Sequence, residues 1–245
     1  MLQRVKPFGN PNIKWEQYLT TPHLAAHMIY NAAIRGDVQD KVILDLGTGT
    51  GMLAVASALC GASQVIGIDL DMDALVIAQQ NAIECEVDNT IDLVNCNVFD
   101  LKAMGDHIAN VVDTVVLNPP FGTRLKGADM QFLSIAARVA NASVYSLHKT
   151  STRDYVVRTA ESWGCKVTVL AEMAYDLPAT YSFHKKRNQT IEVDLIRLEK
   201  LKGKRNPEGT IAGKAIKAKT SSKTKPVKKK TTPTDAIKKV SNRNK

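Results

Sequence analysis

Apolar residues fall along this chain in two alternating rhythms. Short dense runs, such as Val42-Ile-Leu-Asp45, Gln64-Val-Ile-Gly-Ile-Asp69 and Asp113-Thr-Val-Val-Leu117, have the length and β-branched content of buried strands. Between them lie longer stretches with apolar positions three or four residues apart, as helices require. The pattern predicts strands at 42–45, 64–69, 91–95, 113–117, 142–147, 165–173 and 191–198. It predicts helices over about 23–35, 52–60, 71–86 and 129–140, and one capped by Ser151 or Thr152 that runs to about Trp163. Thr21 is placed to cap the first, with Pro22 at its first position and Leu24, Ala25, Met28, Ile29 and Ala32 on its apolar face. Gly61 ends the second. Strands alternating with helices define an α/β fold, a mostly parallel sheet with helices on both faces. No helix separates the last two strands, so they are expected to run antiparallel.

The breakers between these elements carry the chemistry. Asn118-Pro119-Pro120-Phe121 follows the fourth strand. Two prolines fix φ and offer no N–H to a ladder, so the strand stops in a stiff turn. The turn holds an amide (Asn118), unclaimed main-chain carbonyls and an aromatic ring (Phe121). An amide oxygen and a nearby carbonyl can accept both hydrogens of one planar amino group, and the ring can stack on the molecule that carries it. By itself Asn-Pro-Pro is equally a simple turn breaker. After the first strand comes Asp45-Leu-Gly-Thr-Gly-Thr-Gly51, whose alternate glycines permit close main-chain approach to a ligand. Asp69 ends the second strand, 18 residues beyond Gly51. A carboxylate there accepts hydrogen bonds from vicinal ribose hydroxyls. The spacing is G-x-G-x-G and no P-loop lysine follows, so the site suits an adenosine without a pyrophosphate. S-adenosylmethionine fits; NAD is the alternative ligand. Glycine loop, acid and Asn-Pro-Pro turn would all lie at the carboxyl edge of the sheet, where open α/β folds bind ligands.

Charge divides the chain. Residues 200–245 hold 16 Lys and Arg against 2 acidic residues, leaving 17 basic and 22 acidic in 1–199. The tail, for example Lys223-Thr-Lys-Pro-Val-Lys-Lys-Lys230, has too few large apolar residues to offset its ordering entropy and is expected to be disordered. It reads as a phosphate-seeking arm or nuclear-import signal, or as a solvated extension with no specific role. No apolar run reaches transmembrane length and the start carries no signal-peptide core, so an intracellular protein with no membrane segment is expected. Cys60, Cys85, Cys96 and Cys165 form no C-x-x-C pair and read as free thiols. His23 and His27 share a helix face without a third ligand, so no metal site is expected.

Longer stretches narrow the reading. Glu16-Gln-Tyr-Leu-Thr20, Asn118-Pro-Pro-Phe-Gly-Thr123, Tyr145-Ser-Leu-His-Lys149, Tyr175-Asp-Leu-Pro-Ala179 and Phe183-His-Lys-Lys186 resemble the small-subunit (18S) ribosomal RNA adenine-N6 methyltransferases, class I S-adenosylmethionine-dependent enzymes of the methyltransferase-like type. The resemblance covers about 12–199. It implies a seven-stranded Rossmann-like sheet in the order 3-2-1-4-5-7-6 with one antiparallel strand. The implied division is a cofactor-capping segment (1–22), a methyltransferase domain (23–199) and the basic tail (200–245). Gln17, Thr20, Gly47, Thr50, Met52, Asp69 and Asn118 match cofactor contacts. Where the family pattern has Asp after Cys96, this chain has Asn97, which keeps an acceptor oxygen without the charge. Asn118 and Pro119 would accept from the target amine and Phe121 would stack on its base. The resemblance also implies a heterodimer with a small zinc-binding activator subunit. The apolar edge strand 91–96, with no Lys, Pro or Gly, is the expected docking edge; a covering loop at 101–110 is the alternative. Nucleus (nucleolus) and cytoplasm are the expected locations. Other functions open to this sequence are protein-glutamine N-methylation and non-catalytic RNA binding on the same fold.

Overall fold

A computed structural model describes residues 1–101, 111–122, 124–178 and 188–201. Seven strands form one sheet: β1 (Val42–Leu46), β2 (Gln64–Asp69), β3 (Ile91–Asn95), β4 (Thr114–Leu117), β5 (Ser143–Lys149), β6 (Cys165–Pro178) and β7 (Asn188–Lys200). Their order is β3-β2-β1-β4-β5-β7-β6. β7 is antiparallel to both its neighbours and every other pairing is parallel. The expected α/β class and mostly parallel sheet are therefore what the chain adopts.

The helices are α1 (Pro22–Ala33), α2 (Met52–Leu59), α3 (Met72–Glu84), α4 (Ala128–Val139) and α5 (Arg153–Ser162). Alternation along the strands divides the core between the two faces of the sheet. Ile43 and Val116 pack with Leu24, Met28, Leu53 and Ala82 of α1–α3. Leu44, Val115 and Leu117 pack with Leu133 and Ala136 of α4 and with Val156 and Ala160 of α5. Thr21 caps α1 as its sequence demands, accepting from the Leu24 N–H at 3.3 Å.

Two local expectations change. Neither Ser151 nor Thr152 caps α5 with its side chain. A 3-10 turn, Thr150–Thr152, comes first, and the Thr152 hydroxyl is spent as a donor to the Lys149 carbonyl at 2.9 Å. β6 and β7 also run past 165–173 and 191–198. β5 pairs with β7 only over Val193–Glu199, so the outer part of the hairpin is held by pairing between β6 and β7 alone. Main-chain bonding there does not require burial on both faces, so no apolar run marks it. The Phe183-His-Lys-Lys186 motif, the loop over 102–110 and the tail from 202 onward lie outside the described residues.

Candidate active site

The carboxyl ends of β1, β2 and β4 open on a cavity of about 170 Å³. On its floor the glycine loop turns back under β2, with the Gly47 and Thr48 N–H groups both donating to the Ile68 carbonyl at 2.8 and 2.9 Å. Gly49 has φ 55°, a conformation that favours glycine, and a Cβ there would stand 2.8 Å from the tip of the Phe8 ring, which would have to shift. Its N–H donates to Asp69 Oδ2 at 2.8 Å, while Asp69 Oδ1 accepts from the Asp71 N–H at 2.9 Å. Burial raises the Asp69 pKa, and these main-chain donors oppose it. With about four acceptor positions on its two oxygens, the carboxylate keeps acceptor capacity for a ligand beside these donors.

A strap formed by residues 12–20 roofs the cavity. Gln17 accepts from the Asn12 N–H at 2.6 Å and donates to Asp71 Oδ2 at 2.7 Å. The Leu19 carbonyl accepts from the buried Tyr175 hydroxyl at 2.8 Å. Thr20 Oγ1 accepts from Asn118 Nδ2 at 3.0 Å. Upstream, Asn81 accepts from the Lys6 N–H and donates to the Thr50 carbonyl, both at 2.8 Å, fastening the N-terminal segment to the glycine loop.

At the opposite wall Asn118 leaves β4. With its Nδ2 engaged by Thr20, its Oδ1 is buried without a hydrogen-bond partner among the described residues. An orphaned acceptor of this kind costs stability unless a ligand supplies the donor. Phe121 stands edge-on to Tyr175 at 6.1 Å between centroids, with Lys149 Nζ 5.8 Å from its ring centre. Asp129 and buried His148 brace the turn from behind. Their closest N···O distance is 3.7 Å, Ser146 holds the other imidazole nitrogen at 2.9 Å, and Asp129 touches the space beside Gly122. Burial works to raise the Asp129 pKa, but His148 brings it below the ordinary value.

Of the residues singled out from sequence, Gln17, Gly47, Asp69, Asn97 and Asn118 line the cavity. Thr20 stands one step behind, through Asn118. Thr50 and Met52 are buried behind the loop, each 2% exposed. Pro119 and Phe121 flank Pro120, which reaches the cavity. Asn97 Oδ1 already accepts from the Phe99 N–H at 3.0 Å, which leaves one lone pair and the amide Nδ2. Sequence reasoning missed Phe8, Trp15, Glu16, Leu70, Phe99 and Phe132, which also line it. Their signal was faint: Phe8 and Trp15 stand in a proline-rich segment, Leu70 and Phe99 just after strand ends, Phe132 within α4, and Glu16 in the Glu16-Gln-Tyr-Leu-Thr20 motif without an assigned role.

This cleft on this sheet makes the chain a class I methyltransferase with S-adenosylmethionine as cofactor. The rRNA N(6)-adenosine-methyltransferase METTL5 of Danio rerio is 47% identical over 198 residues, spanning 80% of this chain and 94% of that protein. Its Drosophila melanogaster counterpart is 45% identical over 200 residues, 81% of this chain and 92% of that protein. The chain belongs to the METTL5 family of rRNA N6-adenosine methyltransferases. A solved candidate RNA methyltransferase from Pyrococcus horikoshii superposes with TM-score 0.72 at 30% identity, covering 83% of this chain and 94% of that one. The family model for ribosomal protein L11 methyltransferase matches residues 21–119.

Proposed function

We propose that this protein transfers a methyl group from S-adenosylmethionine to N6 of an adenine in small-subunit (18S) rRNA. The observation that carries this reading is the buried, unpartnered Oδ1 of Asn118, held in place through its Nδ2 by Thr20. A preorganised acceptor in a dry site stabilises the positive charge that grows on an amine under methylation. Asn118 and the Pro119 carbonyl receive the amine hydrogens, and Phe121 stacks on the base after it leaves its helix. Gln17, Gly47 and Asp69 hold the cofactor, with Asn97 at its adenine, Thr20 positioning the strap, and Thr50 and Met52 backing the loop. The bound cofactor supplies an electrophilic methyl group, and no base is required before attack. Asn118→Ala should lower methyl transfer to rRNA on the order of 10²-fold or more while leaving S-adenosylhomocysteine affinity nearly unchanged. Full activity in that variant would sink the assigned role. Mapping N6-methyladenosine on rRNA with and without the protein tests the substrate.

The catalytic chain works, in this reading, as a heterodimer with a small zinc-binding activator subunit that adds a strand to β3. β3 pairs only with β2 among the described residues, and Val94 is exposed on it. Leu70, Met72, Val76 and Ile83 are exposed on the neighbouring strand end and α3. An apolar edge beside an apolar helix face suits main-chain pairing with another protein. Nucleolus and cytoplasm follow as the places where rRNA is processed and used, and the basic tail serves as import signal or RNA arm.

A further inference from the structure

Glu16 has φ 52°, a conformation uncommon outside glycine, yet it is only 8% exposed. Backbone strain and a buried carboxylate both cost stability and persist where the surrounding structure or a function requires them. Glu16 Oε1 accepts from the Arg124 main-chain N–H at 2.7 Å, which fastens the carboxylate to the loop that follows Pro119-Pro120-Phe121. Glu16 Oε2 is buried with no partner among the described residues. The neighbouring Gln17 reaches the other way, to Asp71 beside the ribose acid Asp69. Glu16 thus lines the same cavity as Asn118, whose Oδ1 is also unpartnered among the described residues, and is tied to the loop that follows the Asn-Pro-Pro turn. Both free oxygens are acceptors with no hydrogen-bond donor among the described residues, and the reaction proposed above creates a cationic N–H donor in this cavity.

Resting on that reading, we propose that Glu16 is a further catalytic residue whose free oxygen stabilises the cationic N6 and receives its proton. The N6 lone pair forms the new N–C bond as the methyl C–S bond breaks, its electron pair staying on sulfur. The nitrogen then bears a methyl group, two hydrogens and a positive charge. As the nitrogen becomes tetrahedral one N–H turns from the Pro119 carbonyl to Glu16 Oε2; that bond breaks, its electrons return to nitrogen, and the proton passes to the carboxylate. Water takes the proton as product leaves. Asn118 holds the amine in line and Glu16 supplies the charge that Asn118 lacks.

Glu16→Gln keeps the acceptor for Arg124 and the volume, and replaces the free carboxylate oxygen by a neutral NH2 that cannot take a proton. Its single-turnover methyl-transfer rate should fall on the order of 10²-fold. Its dissociation constants for S-adenosylhomocysteine and for an rRNA fragment should stay within about threefold of wild type. Glu16→Asp, with the charge one methylene away, should recover part of the rate. A variant weakened only in S-adenosylhomocysteine binding would assign the carboxylate to the cofactor's ammonium and overturn the proposal. So would a Glu16→Gln rate equal to wild type, or Gln and Asp variants equally impaired. All rates are read with the activator subunit co-expressed, and a wild type inactive in that form would defeat the substrate reading, and the proposal with it, before any variant is compared.

Discussion

At the scale of single residues, the site is held by groups with no bond to spare and others with one left over. Thr20, Gln17 and Asn81 have their polar atoms committed to neighbouring segments, so they fix geometry. Asn118, Glu16 and Asp45 each keep a buried oxygen without a hydrogen-bond partner among the described residues. Asp45 is the most deeply placed, 1% exposed at the end of β1. Burial pushes its carboxyl up to about 7, against hydrogen bonds from the Thr48 hydroxyl and the Ala54 main chain. Between its unfolded value of 3.8 and about 7 the folded chain binds the extra proton. Stability from this group is therefore complete below the unfolded value and lost as pH rises through 7. Asp45→Asn preserves shape without the titration. Its stability relative to wild type should improve between pH 5 and pH 8, by no more than about a few kcal/mol. Thermal denaturation at both pH values reads this directly, and a difference that does not change with pH would refute it.

At the scale of elements, β3 behaves unlike the other strands. Its Ile91 is buried and Leu93 half-buried against the α1–α3 side, but Asp92, Val94 and Asn95 are exposed. Proline at Leu93 would test partner docking poorly, because the Leu93 side chain packs over Gly67 of β2 and registers with it. Val94→Lys is the cleaner probe: it adds charge to the outer edge and leaves the β2 ladder intact. Co-expression with the activator subunit followed by size-exclusion chromatography should show loss of the heterodimer with the S-adenosylhomocysteine site retained. A wild-type chain that is stable, monomeric and fully active alone would show that no such partner is needed.

At the scale of the whole molecule, charge is organised by position and not by composition. Residues 1–199 are net acidic, yet Lys14 lines the cavity, Arg124 and Lys126 follow the Asn-Pro-Pro turn and Lys149 stands over Phe121. The cationic groups stand beside the acceptor site, where RNA phosphates would run. Residues 202–245 add a far larger cationic reservoir by sequence alone. Truncation after Leu201 should weaken rRNA binding and flatten its dependence on salt, with S-adenosylhomocysteine binding unaltered. An unchanged salt slope would rule out the tail as a phosphate-binding arm.

The α/β class, the reversed last strand and the three loops that bear Gly47, Asp69 and Asn118 were legible from local sequence. Each depends on short-range physics: strand periodicity, glycine's access to positive φ, and proline's missing N–H. The strand order came from a family likeness, since periodicity does not say which strands are neighbours. Only the tertiary structure revealed that Thr20 binds Asn118 across 98 positions, that Glu16 meets Arg124 across 108, and that Phe8 lies on Gly49. Those contacts join a proline-rich segment without periodicity to loops far along the chain. Their partners are chosen by the packing of the sheet, which no local pattern encodes.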